Sequence, residues 1–393
     1  MIKSTTIFIC LGFIWNISYI IGTFNIEFKG ATLLYISILL VTFLINSKKK
    51  WISSKNNISL PVIFFLYPVI AFFFQPITDY AEYKILSFIF KCGVVFLLPF
   101  QLKNNIYSFM KGYLWSSLIF IFLIITHVIP SLGSFSVNNR LSFDGLNAIW
   151  IARFAFEGLL LSLIVFNDLK IFRKKFIILI LIVLTLLIAY STGSKGPLLS
   201  AILIVVYYFL GKYNKFKYKR LVFGCLIFAS IYIFSKNYSN ITEDSYLSQR
   251  FMQTIPDGVS EEVYEKSRGV VWIQTIDKIS DLDFNLFFGE GFGNFSFFYL
   301  GREVYRFYPH NLFLELLVEG GIIYLLVFLL LVKKFHQNNK FKFLFYYAFL
   351  NSIFSGDILL NETVFLYLAI MFNYQININK NKRLKIEKSV IHN

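Results

Sequence analysis

The sequence predicts an all-α integral membrane protein of about twelve transmembrane helices, with a large external loop between helices nine and ten. Three observations carry that reading. Hydrophobic residues make up 57% of the chain and charged ones 15%, with a mean hydropathy of +0.64. Apolar runs of ~20 residues, the length that crosses a hydrocarbon core of ~30 Å, recur along the chain. Basic residues gather in alternate short connections, as the positive-inside rule requires.

The expected spans are 6–22, 30–46, 59–75, 84–100, 112–130, 148–166, 176–191, 197–211, 221–235, 309–332, 342–358 and 362–376. The first lacks a small-residue cleavage site, so it is expected to remain as a helix with Lys3 on the cytoplasmic side. The inner segments, with Lys342 at their boundary, hold 25 of the 38 lysines and arginines. Asp168 and Glu387 are their only acids, out of 22. A one-helix error would scramble this pattern. The net charge of +16 is therefore a topology signal, because a nucleic-acid surface would cluster its basic groups on one domain. No nucleic-acid partner is expected.

Four regions follow. Residues 1–235 form a bundle of the first nine helices, and 236–308 an external loop with short helices. Residues 309–376 supply the last three helices, and 377–393 a basic cytoplasmic tail that sits against anionic lipid. Both termini are expected in the cytoplasm. Cys10, Cys92 and Cys225 all fall in apolar spans without disulfide or metal-ligand spacing. No His/Cys cluster or acidic pair calls for a metal ion.

Three external regions depart from the apolar pattern. In "SLGSFSVNNRLSFDGLNAIWIARF", residues 131–154, Arg140 faces outward and suits an anionic ligand. Arg153 lies inside the sixth span, four residues before Glu157, and is either a structural ion-pair member or a substrate contact. Lys91, in the fourth span, is an alternative partner for Glu157.

The second region is "YSTGSKGPLLSA", residues 190–201. Pro197 fits a first helical turn, and Ser194, Lys195 and the exposed amides of a helix start can bind phosphate. A tight turn with an interfacial lysine is the plainer alternative.

The third is the 236–308 loop. Its segment 261–280 reads as an amphipathic helix whose apolar stripe is Trp272, Ile276 and Ile279, with Arg268 one turn earlier. That arginine either stacks on Trp272, pairs with Glu265, or reaches a ligand. The alternating glycines of "FFGEGFGNFSF", residues 287–297, fit a flexible turn or close backbone approach to a glycan, and lack the spacing of a nucleotide fingerprint.

The span "YPHNLFLELLVEGGIIYLLVFLLLV", residues 308–332, starts with polar groups. Pro309 is expected to open the helix, placing His310 at its N-terminus, where the dipole favours the neutral ring a general base needs. Asn311, Glu315 and Glu319 follow at intervals of four on one inward face. Gly320 and Gly321 would let another helix approach.

"TGSKGP" at 192–197, "SRGVVW" at 267–272, "GEGFGNF" at 289–295 and "PHNLFLELLVEGG" at 309–321 together resemble the O-antigen ligase and polymerase superfamily. The resemblance implies a C-type glycosyltransferase-like (GT-C-like) membrane fold working on the outer, periplasmic side of the bacterial inner membrane. It implies a donor glycan on undecaprenyl diphosphate and neither metal nor nucleotide cofactor. Arg268 matches the family's loop arginine and His310 its base. The family's turn usually carries arginine where this chain has Lys195, which keeps the charge but loses bidentate phosphate geometry.

The expected activity is polymerisation of lipid-linked repeat units into O-antigen or capsular polysaccharide, with a chain-length regulator protein as a further partner. Lys195 and Arg268, with Arg140, would hold the diphosphate. His310 would be the base, and Asn311 and Glu315 would orient it or the acceptor. Ligation of the glycan to lipid A core is the alternative. A lipid-linked glycan transporter ranks third: it should show inverted repeats and broken helices with polar groups near mid-membrane. The notable groups instead collect toward the outer ends, and no internal repeat is evident.

Overall fold

A computed structural model describes residues 4–24, 29–46, 59–74, 78–126, 134–135, 141–142, 148–166, 171–192, 194–212, 268–280, 284–304, 307–354 and 357–391. The predicted ninth span, 221–235, lies outside the described residues, as do Arg140 and residues 236–267 of the external loop.

The described chain is almost entirely helical. Its helices are α1 (Ser4–Phe24), α2 (Lys29–Asn46), α3 (Ser59–Phe72), α4 (Asp79–Ser87), α5 (Val94–Leu102), α6 (Ile106–Ile125), α7 (Ala148–Val165), α8 (Ile171–Thr192) and α9 (Lys195–Lys212). These are followed by α10 (Arg268–Ile279), α11 (Phe295–Leu300), α12 (Leu312–Phe335), α13 (Lys342–Phe354) and α14 (Glu362–Ile391). A π-helical segment, Phe88–Gly93, joins α4 to α5 into one rod. Three stretches are long and apolar enough to cross a membrane: Asp79–Leu102, Ile106–Ile124 and Leu312–Phe335. Shorter apolar helices lie within α1, α2, α3 and α9. Large apolar side chains such as Leu44, Phe122 and Leu330 stay exposed on these helices, as surfaces facing lipid tails do.

Several boundaries differ from expectation: α6 begins six residues before the predicted fifth span, α8 five before the seventh, and α13 ends four before the close of the eleventh. The fourth span starts five residues early, because Thr78 caps α4 by accepting from the Ala81 amide. The last helix runs unbroken through the basic tail to Ile391. That tail keeps helix-favouring residues, and nothing in its sequence breaks the helix.

The chain divides into two compact units. The first holds residues 1–22, 26–116 and 275–393, and the second holds 23–25 and 117–274.

The first unit is built around aromatic packing. Phe64 of α3 stacks on Tyr324 of α12 at 5.0 Å and meets Phe88, Phe328 and Phe365 within 6 Å. Helix directions follow from such pairs. Lys84 meets Glu315 at one end of α4–α5, and Phe96 meets Phe335 at the other, so α4–α5 and α12 run parallel. Tyr67 lies by Tyr324 and Phe64 by Phe328, so α3 runs against α12. These are the relations that alternating spans require of the third, fourth and tenth. Gly12 and Gly112 let α1 and α6 touch, since a Cβ on either would collide with the other helix's backbone.

In the second unit α7 packs on α8 and α9, and Phe120 meets Phe154 edge to face at 5.6 Å. Two short strands, β1 (Ser134–Phe135) and β2 (Leu141–Ser142), pair antiparallel within the predicted outer loop.

Candidate functional site

His310 lies just outside α12. Asn311 is the N-cap, and its side-chain oxygen accepts from the Phe313 and Leu314 amides. The helix therefore opens at Leu312, and Pro309, expected to start it, sits in the preceding loop. His310 is the one described non-glycine residue with positive φ, at 56°. A left-handed histidine directly before a helix is a strained placement of the sort that clusters at functional positions. Its ring packs against Tyr308, with centroids 4.5 Å apart.

The glutamates that follow meet a lysine. Lys84 of α4 is fully buried, and its ammonium lies 2.5 Å from Glu315 and 2.7 Å from Glu319, each 1% exposed. Both oxygens of Glu319 take the ammonium. Glu315 Oε1 accepts in addition from the Ile358 amide at 3.2 Å. Beside them, the Tyr80 hydroxyl donates to Asp357 at 2.9 Å. Burying such charges is tolerated only when they are paired, and α4 and α12 supply one another's partners.

Lys91 has a different partner from the one considered above. It rises from the π-helical segment to Glu362 at the start of α14, 3.1 Å away, and Glu362 also accepts from Tyr35 at 2.8 Å. Glu157, expected to compete for Lys91, belongs to the second unit.

The glycine pair in α12 has an unexpected role. Gly321 has φ 70° and ψ −176°, which breaks the helix. The loop 286–291 fills the break. The amides of Glu290 and Gly291 donate to the carbonyls of Val318 and Glu319, and those of Ile322 and Ile323 donate to Leu286 and Phe287. A Cβ on Gly289 would lie 2.6 Å from the Gly321 nitrogen. The approach expected of a neighbouring helix is thus made chiefly by the glycine-rich loop, which the sequence offered to a glycan instead. Tyr67 of α3 adds a hydroxyl to the Gly320 carbonyl. Gly293 presses on α4, its would-be Cβ 2.6 Å from Ala81 Cα.

The remaining predicted residues fall in the second unit. Arg153 is buried and its guanidinium lies 4.4 Å over the Trp150 ring, with Glu157 buried one turn on. Ser194 is buried directly before α9, whose first residue is Lys195. Arg268 is the first residue of α10. The helix buries Val271 and Thr275, while Ile276 is 53% exposed. The predicted Trp272–Ile276–Ile279 stripe is therefore rotated, because a small buried threonine, not an isoleucine, lies at the packed face.

Comparison with known proteins draws on the same stretch. Residues 180–329 match the family model described as O-antigen ligase. That match supports a relationship to the O-antigen ligase and polymerase superfamily. The matched residues, under half of the chain, contain all four motifs identified above. No curated protein matches the chain. The matched region runs from α8 through the break in α12, and so includes both glycine-rich segments and the His310–Asn311 cap.

Lys84 is the residue that sequence reading missed. It sits in "DYAEYKILS", residues 79–87, which looks like a polar lead into an apolar run. The available signal was the demand of Glu315 and Glu319 for a nearby cation.

Proposed function

We propose that this chain is a membrane glycosyltransferase that polymerises undecaprenyl-diphosphate-linked repeat units on the outer face of the inner membrane. The observation that carries this reading is the family match over 180–329, which holds the Lys195, Arg268 and His310 motifs together. The twelve-span topology, with cytoplasmic termini and an external loop before α12, belongs to the same proposal.

The chemistry follows from the residue types. Lys195 and Arg268, with Arg140, neutralise the donor diphosphate and the charge that grows on it as the glycosidic bond breaks. His310 removes the proton from the acceptor hydroxyl, which attacks the anomeric carbon. Undecaprenyl diphosphate leaves with the bonding electron pair. The Asn311 cap and the Lys84 contacts with Glu315 and Glu319 hold the chain on which His310 is mounted, so its imidazole presents one geometry to the acceptor.

Ligation to lipid A core uses the same donor and the same residues. The test is gel electrophoresis of surface glycan from a deletion strain. A core bearing a single repeat, with the long ladder restored by wild type but not by His310→Ala, identifies the polymerase. A bare core with long lipid-linked chains accumulating identifies the ligase.

One observation favours the transporter as a further reading: α12 is a broken helix with ionisable groups buried beside the break. In transporters the freed backbone groups of such helices hold the cargo or ion. Here four of them are taken by loop 286–291, which leaves the glycosyltransferase reading ahead. An unchanged glycan ladder in the deletion strain would reverse that order.

A further inference from the structure

We propose that Glu315 is a proton-binding site: its side chain is held as the neutral acid, with the proton on Oε2, inside the Lys84–Glu319–Asp357 cluster. The first argument is charge balance. Lys84 faces three carboxyl groups, Glu315 and Glu319 on α12 and Asp357 in the turn before α14. Tyr80 of α4, Cys92 and Tyr324 also face the cluster, and Lys91, the next cation along, is already matched by Glu362. The side chains of Lys84, the three acids, Tyr80, Cys92 and Tyr324 are buried, none more than 1% exposed. With every acid ionised, one lysine would leave two uncompensated negative charges in the bundle. A site of low polarity takes up a proton before it holds such charge.

The hydrogen bonds then choose the group. Asp357 is supported as a carboxylate at both oxygens, accepting from the Tyr80 hydroxyl and the Leu360 amide at 2.9 Å each. Both oxygens of Glu319 accept from Lys84. Glu315 is supported on one side only: Oε1 accepts from Lys84 and from the Ile358 amide. Oε2 is fully buried and has no hydrogen-bond partner among the described residues. Donors to the ionised form stabilise it, so the acid with one bare oxygen is the one that keeps the proton. A metal ion does not fit the same place, because the Lys84 ammonium occupies the position between the two glutamates that a cation would take.

This assignment stands independently of the transferase reading, and it gives the cluster a role that pairing alone does not. The residual proton is stored in the first turn of α12, four residues after the N-cap Asn311. Its release would set Glu315 against Glu319 and Asp357, and so would loosen the helix head that follows His310.

The test is infrared spectroscopy of the purified full chain in lipid, in H2O and D2O at neutral pH, with thermal stability measured in parallel. Wild type should show a deuterium-sensitive carbonyl band of a protonated carboxyl group. Glu315→Gln should lose that intensity and keep wild-type stability, since glutamine copies the shape and charge of the neutral acid. Glu319→Gln should lower stability by depriving Lys84 of its ionised partner. Absence of the band in wild type, its retention in Glu315→Gln, or failure of Glu315→Gln to fold would each overturn the assignment. The reverse stability ranking would do the same.

Discussion

The ammonium of Lys84 and the carboxyl of Glu315 lie 2.5 Å apart although 231 residues separate them in the chain. The contact ties α4 to the head of α12 and fixes the segment that carries His310. Its energetic weight lies in the penalty for breaking it. Lys84→Met should leave Glu319 buried without its cation and destabilise the protein by ~3–5 kcal/mol, as loss of one partner of a buried pair does. Thermal unfolding of the detergent-purified protein measures this, and the double variant Lys84→Met/Glu319→Gln should recover much of the loss. A Lys84→Met protein as stable as wild type would mean that water reaches the cluster.

The break in α12 predicts a contrast between two glycines of similar φ but opposite ψ, −176° at Gly321 and 8° at Gly301. Gly321 has φ 70° and Gly301 has φ 69°. A Cβ at Gly321 would enter the backbone of Phe287 and Phe288, whereas one at Gly301 meets nothing within 4 Å. Gly301→Ala should therefore cost about 1–2 kcal/mol, the price of a left-handed alanine. Gly321→Ala should cost clearly more and should expose loop 286–291 to added protease. Equal stability of the two variants would refute the docking of that loop.

These two regions also show what could be read in advance. The inward face of Asn311, Glu315 and Glu319 was legible because polar residues four apart in an apolar run must share one side of a helix. Their partners were not, since nothing local links residue 84 to residue 315. Lys91 illustrates the same limit: Glu157 was the acid considered by sequence, and only the packing of α14 on the π-helical segment and α5 brings Glu362 to it. The loop 287–297 was recognised as a place of close backbone approach, but its ligand turned out to be the chain's own broken helix. The Trp272 stripe failed because periodicity over three residues cannot fix which face of a short helix is buried.

A pH effect is expected at the opposite end of α12. His336 caps that helix, and its Nε2 lies 2.7 Å from the Tyr346 hydroxyl. Partial burial, followed by the nearby Lys342 charge, lowers its pKa in the folded state. The unfolded chain then binds the proton more readily, at an ordinary value of about 6.5. The contribution is present above that value and is lost as pH falls through the folded pKa. His336→Gln should flatten the acid limb of the stability profile, measured by thermal unfolding across mildly acidic buffers. An unchanged profile would assign that limb to other groups.

The last prediction separates the conformation of His310 from its chemistry. At φ 56° the position favours residues that tolerate the left-handed region, and asparagine is the best of these after glycine. His310→Asn should fold like wild type, keep the Asn311 cap and retain α12, yet lack a group able to take the acceptor proton. If His310 is the general base, transfer by the purified variant should fall by roughly 10²- to 10⁴-fold. His310→Val should lose stability as well, because a β-branched side chain is strained at positive φ. Wild-type transfer rates in a stable His310→Asn protein would remove His310 from the base role and leave it as a structural hinge before α12. The two variants together therefore distinguish a strained backbone that serves catalysis from one that serves only the turn.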